Sequence, residues 1–150
     1  MSEIKIIPIE EKYEDEFTKT FNESYFDSED ETKQHFKSHI NKNRLFLFFV
    51  DSELAGFFDY IYQYSHNANY LFNICVAKKF RGKGYSKHLL DKYVEISKEQ
   101  KTRNIIALSS THRTNVASQK MHQSFGFKEI GTLKKLHYGE DEIFYAYNLD

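Results

Sequence analysis

The sequence predicts a mixed α/β fold in which helices cover a largely antiparallel sheet. Three observations carry this. The hydrophobic period switches repeatedly between that of a helix and that of a strand, in the order β-α-α-β-β-β-α-β-α-β-β. The length of 150 residues suits one domain, 1–150, with one sizeable core. Aromatic residues make up 17%, from 14 Phe and 11 Tyr with no Trp, which gives much burial per residue. One Pro and six Gly exclude a Pro-rich linker, a collagen-like segment or a long disordered tail.

The elements follow in order. Ile4, Ile6 and Ile9 form a β-like run ending near Pro8. Tyr13, Phe17 and Phe21 recur at helical spacing among Glu, Asp, Lys and Thr, predicting a helix over about 10–25. Ser28-Glu29-Asp30-Glu31 matches a capping box and opens a second helix to about Asn41, with Phe36 and Ile40 on its buried side. The apolar runs 44–51 and 54–64 flank the turn Asp51-Ser52-Glu53 and read as a hairpin. After a polar break at 65–69, the run 70–77 is apolar on both faces, as in a central strand. Leu89, Leu90, Tyr93, Val94 and Ile96 predict a helix over about 85–101. A short buried strand at 104–109 follows, then a helix over 115–125 stopped by Gly126. A second hairpin, 127–138 with 142–149, turns at Gly139-Glu140-Asp141.

The net charge of −1 hides two opposite poles. Residues 1–31 hold 11 acids and 3 bases, net −8, and residues 32–150 hold 11 acids and 18 bases, net +7. Such a division suits one end for an anion and another for a cation, but charge counts alone favour two solvated faces. Cys75 is the sole cysteine, which excludes an internal disulfide and a multi-cysteine zinc site. A lone cysteine on a buried strand packs as a small apolar residue. No apolar signal core opens the chain, and the longest apolar run, 45–50, is too short to span a bilayer. A cytoplasmic protein with no membrane partner is expected.

The most informative segment is Val76-Ala77-Lys78-Lys79-Phe80-Arg81-Gly82-Lys83-Gly84-Tyr85-Ser86-Lys87. It links a buried strand to a helix. Its glycines permit backbone angles at which successive N–H groups converge. The helix start adds unpaired donors and partial positive charge, and five bases surround it. These parts suit a multiply charged phosphate ligand. The P-loop spacing is absent, and Lys87 stands where a dinucleotide fingerprint needs its third glycine.

At these residues the sequence resembles the GNAT superfamily of acyl-CoA-dependent N-acyltransferases. The family's cofactor signature, Arg/Gln-x-x-Gly-x-Gly/Ala, is matched by Arg81-Gly82-Lys83-Gly84-Tyr85-Ser86, with Val76 upstream and Leu89-Leu90 downstream. Ser86 departs from the usual Gly or Ala. A second block, Asn115-Val116-Ala117-Ser118-Gln119-Lys120-Met121-His122 and then Gly126-Phe127, resembles the family's Asn-x-x-Ala-x-x-Leu-Tyr followed by Gly-Phe. The hairpin ending at Gly56 resembles the family's strand–turn–strand. The resemblance covers nearly the whole chain and implies a sheet of about seven strands flanked by about four helices.

The resemblance also implies transfer of an acetyl group from acetyl-CoA to a primary amine, with no metal. Arg81, Gly82, Lys83, Gly84, Tyr85 and Ser86 would hold the diphosphate. Ile74 and Val76 would pair with the pantetheine arm, the Val76 N–H polarising the thioester carbonyl. Asn115 and Ser118 would contact the cofactor, although Asn115 serves equally well as a helix N-cap. His122 stands where many relatives place a tyrosine that protonates the leaving thiolate. A catalytic and a framework role are balanced for this histidine. The strand position of the family's glutamate is Tyr70, so the base is open among Asp59, His66, Tyr70, His112 and a water chain. His35 and His39 share a helix face, but no third metal ligand is recognisable, and two solvated histidines are expected.

The acidic segment falls on the helices that wall the acceptor in this family. A small cationic amine, an amino sugar or a peptide N-terminus would be drawn there, with Tyr25 and Phe26 for apolar or cation–π contact. A second class of function is a catalytically silent acyl-CoA sensor. A nucleic-acid partner is disfavoured: nine bases against three acids in 78–103 cluster at one junction, and the acidic pole repels a polyanion. GNAT domains are often homodimers, and the aromatic C-terminal hairpin is the surface available for one.

Overall fold

The computed structural model describes residues 2–22, 24–100 and 106–149. Its elements are β1 (Ile4–Pro8), α1 (Glu14–Phe21), α2 (Glu29–His39), β2 (Leu45–Val50), β3 (Glu53–Ser65), β4 (Ala68–Val76), α3 (Ser86–Glu99), β5 (Ile106–His112), α4 (Val116–Phe125), β6 (Lys128–His137) and β7 (Glu140–Asn148). Short 3-10 turns occupy Glu11–Tyr13 and Lys78–Phe80. The strands form one seven-stranded sheet in the order β1-β2-β3-β4-β5-β7-β6. The pairs β1–β2, β2–β3, β5–β7 and β6–β7 are antiparallel, and β4–β5 is parallel. Mixed α/β architecture, element order and strand count agree with the reading of the sequence.

The chain clusters into two compact units, Met1–Asp59 with Asn73–Leu89, and Tyr60–Phe72 with Leu90–Asp150. In the first, all six residues of β2 are buried, as their unbroken apolar run requires. Phe17 and Phe21 of α1, Phe36 of α2 and Phe57 of β3 are fully buried. Phe57 is the hub: its ring centroid lies 5.0 Å from Phe17 and 4.7 Å from Phe21, both at edge-on angles. Such tilted packing suits the ring quadrupole. Asp51 and Ser52, at φ 48° and 70°, make the tight β2–β3 turn in the left-handed region.

The predicted first helix is shortened at both ends. Residues 11–13 wind as a 3-10 turn, and the helix stops at Phe21, where Asn22 becomes extended (φ −61°, ψ 133°). The cause is tertiary. The chain folds back so that the Tyr25 and Phe26 amides both donate to the Phe21 carbonyl, and their rings turn onto Phe57 at 5.6 and 6.0 Å. A straight helix would carry those rings away from that hub. The α2 start matches its signature. The Ser28 side chain accepts from the Glu31 amide at 3.1 Å, and the Glu31 carboxylate reaches back to the Asp27 amide at 3.3 Å.

In the second unit, β5 pairs with β7 from Ile106↔Asn148 to His112↔Glu142. β5 extends to His112, beyond the predicted end. Positions 104 and 105 of the predicted strand, Lys101 of the predicted helix and Glu23 of the acidic pole lie outside the described residues. Asn69 of β4 donates to Ser97 Oγ and Gln100 Oε1 of the α3 segment, at 3.2 and 2.8 Å. The Tyr93 hydroxyl donates to the Leu108 carbonyl at 2.8 Å. Gly126, at φ 116°, ends α4. The Phe127 amide returns to the His122 carbonyl at 2.9 Å, closing the last turn as a C-terminal glycine does.

Candidate active site

The Gly-rich loop belongs wholly to the first unit. It leaves β4 through Ala77, whose amide donates to the Ala55 carbonyl of β3 at 2.7 Å. The 3-10 turn then buries Phe80 and exposes Lys78 and Lys79. Gly82 and Gly84 sit at φ 78° and 79°, and a Cβ on either would meet nothing within 4 Å. These glycines are therefore demanded by backbone conformation and not by crowding. The first N–H bonds of the α3 ladder run from Lys87 to Gly84 and from His88 to Tyr85. The amides before Lys87 stand ahead of that ladder. Left-handed residues alternating with an ordinary one, opening onto a helix start, make an anion-binding concavity.

Two side chains anchor the loop. Arg81 Nε donates to the Val76 carbonyl at 2.8 Å, tying the loop back to the end of β4. The half-buried Tyr85 ring packs edge-on to Phe48, 5.5 Å away. Lys79 is engaged with Glu53 at 2.9 Å, while Lys78, Lys83 and Lys87 are exposed. Along β4, Ile74 and Val76 are half-buried and Cys75 is buried. Burial pushes the Cys75 thiol up to about 11, so it stays neutral and packs as an apolar residue. Gly56 of β3 meets β4 here. A Cβ on it would lie 2.6 Å from the Cys75 carbonyl oxygen, so only glycine lets the two backbones approach.

Asn115, Ser118 and His122 belong to the second unit. Asn115 caps α4, its side chain accepting from the Ser118 amide at 3.0 Å. His122 is fully buried. Its Nδ1 lies 2.7 Å from the Ser118 carbonyl oxygen, which can only accept, so Nδ1 carries the proton. Nε2 then accepts from the Ser109 hydroxyl at 2.6 Å. The ring stacks on Tyr145 at 4.8 Å and meets Phe127 edge-on at 5.5 Å. Burial lowers its pKa, only partly opposed by the Ser118 carbonyl. Both nitrogens are engaged and the ring is neutral, which favours the framework role over the proton donor.

The four base candidates sit in different surroundings. His66 is exposed in the β3–β4 turn. His112 bonds Thr114 at 2.6 Å and stacks on His137 at 4.8 Å. Tyr70 begins a chain that the sequence did not reveal. Its hydroxyl lies 2.6 Å from Ser110 Oγ, and Ser110 donates to Glu142 Oε2 at 2.6 Å, so Tyr70 donates to Ser110. Burial raises the Tyr70 pKa and keeps the phenol protonated. The partners lie 40 and 32 positions apart and meet only through sheet register.

Asp59 is buried, with 1% of its side chain exposed, and bonds His35 Nε2 at 2.6 Å and Asn73 Nδ2 at 3.1 Å. This corrects the expectation for α2. His35 and His39 are not solvated; each side chain is about five-sixths buried and turned to Asp59. The third group that the sequence did not disclose comes from β3, beyond the reach of local spacing. Most carboxylates of the acidic segment do face solvent, among them Glu10, Glu11, Asp15, Glu16, Asp27, Glu29, Asp30 and Glu31. No helix among the described residues is long and apolar enough to cross a membrane.

Comparison with known proteins identifies the architecture. No curated protein matches the sequence. An N-acetyltransferase from Staphylococcus aureus Mu50 superposes with TM-score 0.80 at 21% identity, over 99% of both chains. The acetyltransferase from Salmonella typhimurium that modifies the N-terminal serine of 50S ribosomal protein L7/L12 gives 0.81 at 17%, over 98% of this chain and 95% of that one. A ribosomal L7/L12 α-N-protein acetyltransferase in complex with coenzyme A gives 0.81 at 18%, over 98% and 94%. At such identities the likeness is one of fold. The family model for "Acetyltransferase (GNAT) family", whose members use acetyl-CoA, matches residues 7–127, a span that takes in β4, the Gly-rich loop and α4. The chain belongs to this family and is an acyltransferase.

Proposed function

We propose that the chain, acting as a single domain in the cytoplasm, moves an acetyl group from acetyl-CoA to a primary amine by direct attack in a ternary complex. The observation that carries this is the pair of left-handed glycines, Gly82 and Gly84, between β4 and α3, a backbone pattern that suits a diphosphate. Arg81, Gly82, Lys83, Gly84, Tyr85 and Ser86 form that cradle. Arg81 shapes it through Val76, and the exposed Lys78, Lys83 and Lys87 supply charge. Ile74 and Val76 take the pantetheine arm. Asn115 and Ser118 stay assigned to the cofactor by the resemblance alone, the Asn115 side chain also serving as the α4 cap.

In the reaction the amine nitrogen attacks the thioester carbon. The tetrahedral intermediate then expels the coenzyme thiolate, the amine loses one proton and the thiolate gains one. The Val76 N–H is the donor assigned to the carbonyl oxygen. Holding both substrates in one geometry removes the entropic part of the barrier. The acceptor is a small cationic amine or a peptide N-terminus. The acidic α1–α2 segment supports this, as does the peptide N-terminus modified by the Salmonella typhimurium relative. Exposed Ile130, Leu133 and Leu136 on β6 support a homodimer, which light scattering reads directly.

Free-thiol release from acetyl-CoA across a panel of amines, amino sugars and peptides tests the reading. Turnover with an amine is expected. Saturable acetyl-CoA binding with no turnover on any acceptor assigns the chain to the silent sensor class instead. The neutral, enclosed His122 and the carboxylate-free β4 are what favour that second reading.

A further inference from the structure

His35 and His39 lie one helical turn apart on α2, so both rings project from one face. Asp59 of β3 meets them there. One ligand atom from each of the three lies within 4.8 Å of the other two. His35 Nε2 is 2.6 Å from Asp59 Oδ2, and His39 Nε2 is 4.0 Å from Oδ1. Asn73 Nδ2 contacts both carboxylate oxygens, at 3.1 and 3.2 Å. The Tyr25 hydroxyl donates to Asn73 Oδ1 at 2.7 Å, which fixes the amide with its NH₂ toward Asp59. All five residues belong to the first unit.

The hydrogen bonds leave this cluster incomplete. A carboxylate exposed by only 1% is met by one imidazole and one amide. The second imidazole is aimed at the same carboxylate but stops outside hydrogen-bond range, and its buried Nδ1 has no partner. Phe26 lies 5.0 Å from the His35 ring, and Phe57 lies 6.3 Å from it, so that ring has aromatic neighbours. One bound cation would bring all three groups into a single set.

We propose that His35, His39 and Asp59 form a site for a divalent transition ion of the zinc class. Metal–ligand bonds of about 2.0–2.2 Å in a tetrahedral site separate donors by about 3.3–3.5 Å. The observed 2.6 and 4.0 Å fall on either side of that spacing. The ion therefore enters by opening the His35 contact and drawing in His39, both small side-chain adjustments. Two imidazoles and one carboxylate select zinc-class ions over magnesium or calcium, which prefer all-oxygen sets. Asn73, held by Tyr25, is the outer partner that orients the carboxylate. Three protein ligands leave a fourth position for water. Binding displaces the proton between His35 and Asp59 and clamps α2 to β3. The site is independent of the acetyl-transfer reading.

The test uses the full chain without an affinity tag, stripped by a chelator and titrated with zinc chloride in a calorimeter. Cobalt is titrated in parallel and followed by visible absorption. One equivalent bound, a higher Tm with zinc, and cobalt bands of tetrahedral intensity are expected. Asn73→Ala should weaken zinc binding by about 10- to 100-fold, and His39→Ala by more. His39→Ala is the deciding variant, because this side chain makes no hydrogen bond that folding would miss; circular dichroism checks its fold. No saturable zinc uptake overturns the proposal. So does unchanged affinity in His39→Ala, which would place the ion on other histidines.

Discussion

His122 illustrates how one residue type takes its role from its surroundings. Its Nδ1–H is held by the Ser118 carbonyl and its Nε2 by Ser109, inside a shell of Tyr145 and Phe127. Burial lowers its pKa, and the same cause lowers that of His39. In the unfolded chain both titrate near about 6.5. Their folded pKa values lie below the unfolded one, so this stabilisation is full above about pH 6.5 and is lost as pH falls through the folded values. Urea midpoints measured from pH 7.5 to pH 5 should therefore fall, and His122→Phe should flatten part of that slope. The same variant leaves the Ser109 hydroxyl without its acceptor and should cost about 1–3 kcal/mol at neutral pH. As a framework residue, its loss should leave the shape of the kcat pH profile intact. A lost limb in that profile would restore the proton-donor role.

At the level of elements, two glycine positions respond to opposite constraints. Gly84 has open space but a left-handed backbone, so Gly84→Ala meets conformational strain of about 1–2 kcal/mol with no clash. The expected result is a raised KM for acetyl-CoA, with kcat at saturation much less affected. Initial rates over a range of cofactor concentrations separate the two. Gly56 has an ordinary backbone but a carbonyl 2.6 Å from where a Cβ would sit. Gly56→Ala must push β3 from β4 at Cys75, and a loss of about 1–3 kcal/mol is expected by denaturant titration. Phe57 ties β3 to α1 through Phe17 and Phe21, to the folded-back Tyr25 and Phe26, and to α2 through the His35 ring. Phe57→Ala should cost about 3–5 kcal/mol and lower Tm accordingly.

For the molecule as a whole, charge and topology set what each segment can do. The −8 of residues 1–31 and the +7 of the remainder persist as exposed carboxylates on α1 and α2 and exposed lysines around the Gly-rich loop. Electrostatic attraction of a cationic acceptor weakens as salt shortens the Debye length from about 30 Å at 0.01 M to about 8 Å at 0.15 M. KM for cationic acceptors should rise across that range while KM for neutral amines stays flat; equal behaviour of the two classes removes the acidic segment from acceptor recognition. The fold class, the element order, the Ser28 and Asn115 caps, the Gly126 stop and the Gly-rich loop were all legible in the sequence. Each is a local matter: a hydrophobic period, a side chain bonding an amide three residues on, or a glycine at a left-handed angle. The end of α1, the enclosure of His122, the Tyr70–Ser110–Glu142 chain and the His35–His39–Asp59 cluster were decided only by tertiary structure. Each joins side chains from separate elements, and strand register and ring packing set those meetings at distances along the chain that no local pattern encodes.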